Sequence, residues 1–87
     1  MTMEFNYASG NDYLLFLITA AERRKIRHME RYGQAFFNVL HLEYPAIANA
    51  IRSTPYDPFF KEDVSPETMQ RVLALYEEMA RDASCKS

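Results

Sequence analysis

The feature that most constrains this fold is the helical spacing of its apolar residues, which recurs along the chain while strand signals are nearly absent. No Asn-Gly or Asp-Gly pair marks a hairpin turn, and no long alternation of apolar and polar residues occurs. The sequence also contains no internal repeat and no low-complexity linker. It therefore predicts one all-α domain over residues 1–87, a small helical bundle in which an arm over residues 1–9 and a tail over residues 83–87 are flexible.

Capping residues and prolines mark where the predicted helices begin. Ser9 can accept a hydrogen bond from the first N–H groups of a long N-terminal helix that starts within the next two residues. Pro45 suits the first turn of a short middle helix that ends near Arg52. Ser65, followed by Pro66, begins an amphipathic C-terminal helix. Each predicted helix thus carries its own local start signal.

Two interpretations are open for the end of the first helix. An apolar seam repeats at spacings of three and four residues through Ile26, Met29, Gly33, Phe36 and Leu40. In the first interpretation, one helix continues to about Glu43, and Gly33 allows another helix to approach closely. In the second, the helix breaks at Tyr32-Gly33, and Gly33 takes a positive φ as a C-terminal cap. We favour the continuous helix because the seam is unbroken.

Residues 53–64 are predicted to form an aromatic loop between the middle and last helices. They contain Pro and Asp, which favour turns and interrupt helices. Asp57 can cap a single turn that starts at the following proline. Such a turn would direct Phe59 and Phe60 towards the core.

Aromatic residues are concentrated in the second third of the chain, where seven of the twelve lie within 29 residues. Phe36 and Phe37 are adjacent, so a helix directs one to the core and the other to a different partner. Aromatic side chains are enriched where proteins meet, and a domain of this size is marginally stable alone. The alternative is that all of them fill an intrachain core. The predicted protein-interface residues are Phe36, Phe37, Tyr44, Tyr56, Phe59 and Phe60.

The strongest charge feature is the basic run over residues 23–31. On a continuous helix, five of its side chains fall within one arc of about 140°. The predicted anionic-partner residues are Arg23, Arg24, Arg27, His28 and Arg31. Arginines four residues apart repel each other by about 0.2–0.5 kcal/mol per pair, which an acidic protein or a nucleic acid would offset. The simpler alternative is a solvated face, or pairing with Glu62, Asp63, Glu77 or Glu78.

Motifs for catalysis, cofactors and metals are absent from the sequence. The single cysteine, Cys85, excludes an intrachain disulfide, and His28 and His41 have no second ligand at useful spacing. No Gly-rich phosphate loop, nucleophile elbow or HExxH pattern occurs. We therefore expect a protein that is not an enzyme and that needs no cofactor and no metal.

The charge and hydropathy patterns also bear on location. The only long apolar run, residues 13–21, is much shorter than the roughly 20 residues that a membrane span needs. Acidic residues precede this run and basic residues follow it, which is the reverse of a signal peptide. A formal net charge of −2 argues against a protein that coats nucleic acid by bulk charge. We expect no membrane association and a cytoplasmic location.

One segment resembles a pattern found in small uncharacterised proteins of bacteriophages, prophages and other mobile elements. The residues that carry it are 31–40, Pro45, 51–54 and 57–59. The resemblance implies a small accessory protein in a bacterial cytoplasm. It implies no activity and assigns no residue roles.

The predicted function is that of a non-catalytic accessory protein that binds another protein, modulates or inhibits a host system and self-associates, with a dimer favoured. The alternative is a small nucleic-acid-binding protein that uses the basic face over residues 23–31. An acidic protein surface is slightly preferred to DNA as the partner of this face, because no helix-turn-helix spacing accompanies it.

Overall fold

The computed structural model describes the backbone of residues 9–85 and the side chains of residues 9–82. The helices in this range are α1 (Gly10–His28), α2 (Tyr32–Glu43), α3 (Pro45–Ile51) and α4 (Pro66–Cys85). No strand occurs among the described residues, and the predicted all-α bundle is confirmed. Apart from Ser9, the predicted N-terminal arm lies outside the described residues, as do the side chains of the predicted tail.

The residues that begin the helices act as their sequence predicts. The Ser9 hydroxyl accepts a hydrogen bond from the Asp12 N–H at 3.2 Å and caps α1. At the start of α4, the Ser65 hydroxyl accepts a bond from the Thr68 N–H at 3.2 Å. Pro45 occupies the first turn of α3. Caps of this kind bind N–H groups that the first helical turn leaves without an intrahelical partner, while proline at this position has no N–H to satisfy.

The favoured interpretation of one helix running through Gly33 is wrong. α1 ends at His28, and Met29 takes the left-handed conformation with φ 54° and ψ 42°. Arg31 is extended, with φ −63° and ψ 151°, before α2 begins. The alternative break with a positive-φ glycine is also wrong in detail, because Gly33 lies in the first turn of α2 and its φ is not positive. Met29, a residue that rarely adopts this conformation, makes the turn instead.

The apolar seam that suggested a continuous helix combines two different environments. Ile26 and Met29 expose 80% and 93% of their surfaces to solvent. Phe36 and Leu40, further along the seam, are fully buried. The seam therefore does not form one buried stripe, and its regular spacing does not require one helix.

Gly33 nevertheless provides a close approach, although the partner is a loop and not a helix. A Cβ atom at this position would overlap the carbonyl oxygens of Pro58 and Lys61. Because both of these atoms belong to the backbone, a side chain at position 33 would require the loop to move. Gly33 thus allows α2 to lie directly against the segment between α3 and α4.

Three buried tyrosines form the contact between the helices. Tyr13 of α1 stacks on Tyr76 of α4, with ring centroids 4.6 Å apart and planes 10° from parallel. Tyr44, at the corner between α2 and α3, packs edge-on against both rings at 5.0 and 5.5 Å. Such aromatic pairs add about 0.5–1.5 kcal/mol each beyond the burial of their area. This cluster brings together α1, α4 and the corner between α2 and α3 at one point of the core.

The loop between α3 and α4 contains the turn that the sequence predicts around Asp57. The Asp57 carboxylate accepts hydrogen bonds from the Ser53 N–H at 2.9 Å and from the Phe59 N–H at 3.0 Å. The Lys61 N–H bonds the Pro58 carbonyl at 2.9 Å and closes the turn. Both carboxylate oxygens of Asp57 are therefore used to fix the loop backbone.

Two threonines attach the same loop to the helices on either side of it. The Thr54 hydroxyl donates to the Ile51 carbonyl at 2.6 Å and accepts from the Tyr56 N–H at 3.1 Å. The Thr68 hydroxyl, buried on α4, donates to the Tyr56 carbonyl at 2.8 Å. A buried hydroxyl that lacks such a partner is unfavourable by about 1–3 kcal/mol, so these bonds specify one loop conformation.

Candidate interaction surfaces

A groove beside α1 contains four of the five predicted anionic-partner residues. It encloses about 390 Å³ between α1 and the flank of α2. Its lining residues are Phe16, Thr19, Ala20, Arg23, Arg24, Arg27, His28 and Val39. The α1 members recur every three or four residues, as expected for one face of a helix. We refer to this surface as the cationic groove.

Arg24 is neutralised within the protein. Its Nε lies 2.8 Å from Oε1 of Glu30, and Oε2 of Glu30 accepts a hydrogen bond from Asn38 Nδ2 at 3.0 Å. This chain of contacts links the end of α1 to α2 across the turn at Met29. Arg24 therefore has a structural role, and its charge is not available to a partner.

Arg31 does not belong to the cationic groove. The predicted arc of five basic residues requires a continuous helix, and the end of α1 at His28 places Arg31 in the connection to α2. Its Nε forms an ion pair with Glu62 Oε1 at 3.1 Å, one of the pairings that the sequence suggests. Because both side chains are more than half exposed, this pair contributes less than about 1 kcal/mol.

Arg23 and Arg27 remain as exposed cations of the groove, and the exposed His28 lies beside them. None of them forms an ion pair with a carboxylate among the side chains of residues 9–82. Part of this charge serves the helix itself, because cations in the last turn interact favourably with the helix dipole. Arg23 precedes that turn and lies one turn from Arg27, so the two like charges repel each other.

Apolar side chains line the same groove. Phe16 and Ala20 of α1 and Val39 of α2 accompany the two exposed arginines. This combination can accept a carboxylate at its rim and an apolar group at its floor. The sequence reasoning missed Phe16 and Val39, although Phe16 continues the helical spacing of Ala20, Arg23 and Arg27 towards the N-terminus.

The predicted interface aromatics divide into buried and accessible members. Phe36, Phe37 and Tyr44 are buried, so the folded chain presents almost none of their surface to a partner. The expectation that Phe36 and Phe37 face different chains is thus corrected. Both flanks of α2 are covered within one chain, since α1 packs on one and the loop residue Phe59 packs edge-on against Phe37 at 5.7 Å.

The accessible aromatics lie in the loop. Phe60 exposes 81% of its surface, so the expectation that the turn directs it to the core is wrong. Its ring packs edge-on against Phe59 at 4.9 Å, and Phe59 is half-buried against the core. Tyr56 is also partly exposed. The turn at Asp57 is formed as predicted, but it orients only Phe59 inwards.

These loop rings line a second concavity, which we refer to as the aromatic pocket. It encloses about 290 Å³ and is lined by Phe37, Arg52, Ser53, Asp57, Phe59 and Phe60. The Arg52 guanidinium lies over the Phe37 ring, 5.6 Å from its centroid. Sequence reasoning did not select Arg52, because only the loop conformation brings it to these rings.

Tyr32 lies near two carboxylates on the opposite side of α1. Burial raises the pKa of Tyr32 above its usual value, and the negative charges of Glu22 and Asp63 raise it further. Glu22 lies about 140° around the helix from Arg27. Lys25 lines the same surface as these carboxylates, so this surface carries both signs of charge and is separate from the cationic groove.

The described residues contain no metal-binding cluster and no membrane-spanning helix, and comparison with known proteins gives no match. Among the described residues, no three His, Cys, Asp or Glu side chains are grouped closely enough to hold a metal ion. No helix in the described part of the chain combines the length and apolarity needed to cross a bilayer. No protein-family model, curated protein or solved structure matches this chain.

Proposed function

We propose that the protein is non-catalytic and acts by binding another protein, and that the cationic groove receives an acidic segment of that partner. The observation that carries this proposal is the placement of Arg23 and Arg27. These cations border an apolar floor and have no carboxylate partner among the described side chains.

The contrast with the neighbouring basic residues supports this surface. Arg24 and Arg31 each pair with a glutamate of the same chain. Arg23 and Arg27 stand one helical turn apart without such pairing, which is unfavourable for α1 alone. Carboxylates of a partner would remove this repulsion. Complementary charge also accelerates the encounter of two proteins, so the groove can select an acidic partner during association.

A protein partner suits the groove better than a nucleic acid does. The lining of the groove includes apolar side chains, which an acidic peptide with an apolar side chain can cover. The chain also has a formal net charge of −2, and proteins that bind nucleic acid through charge usually carry a positive excess. Binding of nucleic acid to the same cations is the alternative outcome of the experiment below.

Self-association is the second part of the proposal. Leu15 and Ile26 lie about 20° apart on the outer side of α1 and expose 64% and 80% of their surfaces. A second copy of the chain that covered these two side chains would remove their apolar surface from water. A dimer is measurable by light scattering across a concentration series, and a monomer at every concentration would remove this part. The accessory role in a mobile element depends on the resemblance of residues 31–60 alone.

The experiment is a fluorescence anisotropy titration with a labelled peptide, Gly-Glu-Leu-Asp-Glu-Leu-Gly with an amidated carboxyl terminus, and a labelled single-stranded oligonucleotide of equal length. The double variant Arg23→Gln/Arg27→Gln removes two groove cations. The matched control Arg71→Gln/Arg81→Gln removes two exposed arginines of α4. We expect peptide binding that the groove variant weakens about tenfold and the control leaves unchanged, since two partly exposed pairs together contribute about 1–2 kcal/mol.

The same titration separates the alternatives. Oligonucleotide binding that falls steeply with salt and is lost in Arg23→Gln/Arg27→Gln, with no binding of the peptide, would replace the proposal with the nucleic-acid alternative. Equal weakening by the groove and control variants would show that bulk charge and not the groove binds the peptide. Absence of binding by both probes would contradict the proposal.

A further inference from the structure

We propose that the aromatic pocket binds an aromatic side chain that stands next to a carboxylate, as at the carboxyl terminus of a peptide ending in Phe. This site is distinct from the cationic groove. Phe37 and Val39 are two residues apart on α2, which places them about 160° apart around the helix. The pocket and the groove therefore lie on opposite flanks of α2.

The walls of the pocket are suited to an aromatic ring. Phe60, Phe59 and Phe37 form a series of edge-to-face contacts from the solvent to the core, with centroids 4.9 and 5.7 Å apart. Aromatic rings prefer such edge-on or offset contacts at about 4.5–7 Å. The exposed face of Phe60 gives the series an open end, and a further ring in the pocket would continue it.

The rim of the pocket supplies one available cation. Arg52 is exposed and forms no ion pair with a carboxylate among the side chains of residues 9–82. Asp57 also lines the pocket, but its two oxygens already accept the N–H groups of Ser53 and Phe59. A guanidinium binds a carboxylate through two parallel hydrogen bonds, which an ammonium cannot reproduce. Arg52 is thus the group that would receive the carboxylate.

The short distance between cation and rings selects the ligand. The Arg52 guanidinium lies 5.6 Å from the centroid of Phe37, inside the same pocket. A residue that carries both a ring and a carboxylate can place the two groups there together. The carboxyl-terminal residue of a peptide carries both. The preceding residues of such a peptide would cover the outer surface of Phe60, which a free aromatic acid would leave in water.

The loop is already ordered for this contact. The bonds of Asp57, Thr54 and Thr68 fix the backbone that precedes Phe60, and the residue that follows it is held by the bond from the Lys61 N–H to the Pro58 carbonyl. A partner therefore does not have to order the loop when it binds, and preorganisation of this kind raises affinity. The same bonds keep an apolar ring exposed in the unbound protein.

The test is a ¹H–¹⁵N NMR titration of the full chain with the peptide Gly-Ser-Gly-Ser-Phe, its C-terminal amide and N-acetylphenylalanine. We expect the free-acid peptide to shift the amide signals of Ser53, Phe59 and Phe60. The amide peptide should bind about fivefold more weakly, because it cannot form the surface ion pair. N-Acetylphenylalanine should also bind more weakly than the peptide, and equal affinity would reject a peptide end as the source of the ligand.

Variants identify the residues responsible. Arg52→Gln should remove the difference between the acid and amide peptides, and Phe60→Ala should weaken the acid peptide about tenfold. Leu42→Ala is the matched control, because Leu42 is a similarly exposed apolar residue that does not line the pocket. The Arg23→Gln/Arg27→Gln variant should bind this peptide normally, which keeps the result independent of the proposed function. Equal binding of acid and amide by the unmodified chain, or an unchanged affinity of Phe60→Ala for the acid peptide, would overturn the proposal.

Discussion

The aromatic rings in the core between the helices and those in the loop differ in their exposure within the same small chain. Tyr13, Phe36 and Tyr76 lie on helices and have almost no exposed surface. In the loop, Phe59 is half-buried and Phe60 is mostly exposed. Both regions are rich in aromatic residues, so the number of rings in a segment does not determine how many of them are buried.

The difference arises from what fixes each backbone. A helical residue has its direction set by the 100° rotation per residue, and the helix packs so that its apolar face is covered. The loop is fixed instead by hydrogen bonds that the Asp57 carboxylate accepts from backbone N–H groups and that the Thr54 and Thr68 hydroxyls donate to backbone carbonyls. Its conformation therefore does not depend on burying every ring, and one ring remains at the surface.

The largest expected effect is that of Tyr76→Ala. This change removes a ring that stacks on Tyr13 and packs edge-on against Tyr44. The free energy of unfolding in urea should fall by about 3–5 kcal/mol, the range for deleting a buried aromatic side chain. Tyr56→Ala, which removes a partly exposed loop ring, should lower it by about 1 kcal/mol or less. An equal decrease in the free energy of unfolding of the two variants would show that rings in the core and in the loop contribute equally to stability.

The next largest effect is expected for Gly33→Ala, which changes no ring. Alanine normally stabilises a helix relative to glycine by up to about 1 kcal/mol. Here its Cβ would overlap the carbonyls of Pro58 and Lys61, so we expect destabilisation by about 1–3 kcal/mol. Urea unfolding gives the sign, and faster amide hydrogen exchange at Ser53 would place the disturbance in the loop. A variant as stable as the unmodified chain would show that α2 and the loop are not in close contact.

The parts of the fold that were predictable from the sequence are those specified within a few residues. Ser9, Pro45 and Ser65 mark helix starts because capping and proline geometry are local. The turn at Met29 was not predictable, since the seam through Gly33 suits one helix or two. Two helices form because of contacts between segments that are distant in the sequence. These contacts include the hydrogen bond from Asn38 to Glu30 and the approach of the loop to Gly33.

The candidate surfaces were predictable to a similar extent. Helical spacing placed Arg23, Arg27 and His28 on one face, because α1 is regular over this range. It could not show that Glu30 neutralises Arg24 or that the chain turns before Arg31, because both follow from packing between segments. The aromatic pocket could not be predicted from the sequence, because only the folded loop brings its lining residues together.

The smallest expected effect on stability is that of Phe60→Ala, and it gives the sharpest test of the comparison. Phe60 contacts Phe59 but is mostly in water, so its removal should change the free energy of unfolding by at most about 0.5 kcal/mol. Phe59→Ala should be costlier, by about 1–3 kcal/mol, because Phe59 also packs against the buried Phe37. Urea unfolding of the two variants at the same pH measures both values. If Phe60→Ala were as destabilising as Phe59→Ala, the exposed ring would support the fold and its position would need no partner to explain it. If Phe60→Ala leaves stability unchanged while peptide binding weakens, Phe60 contributes to binding and Phe59 contributes to the stability of the fold.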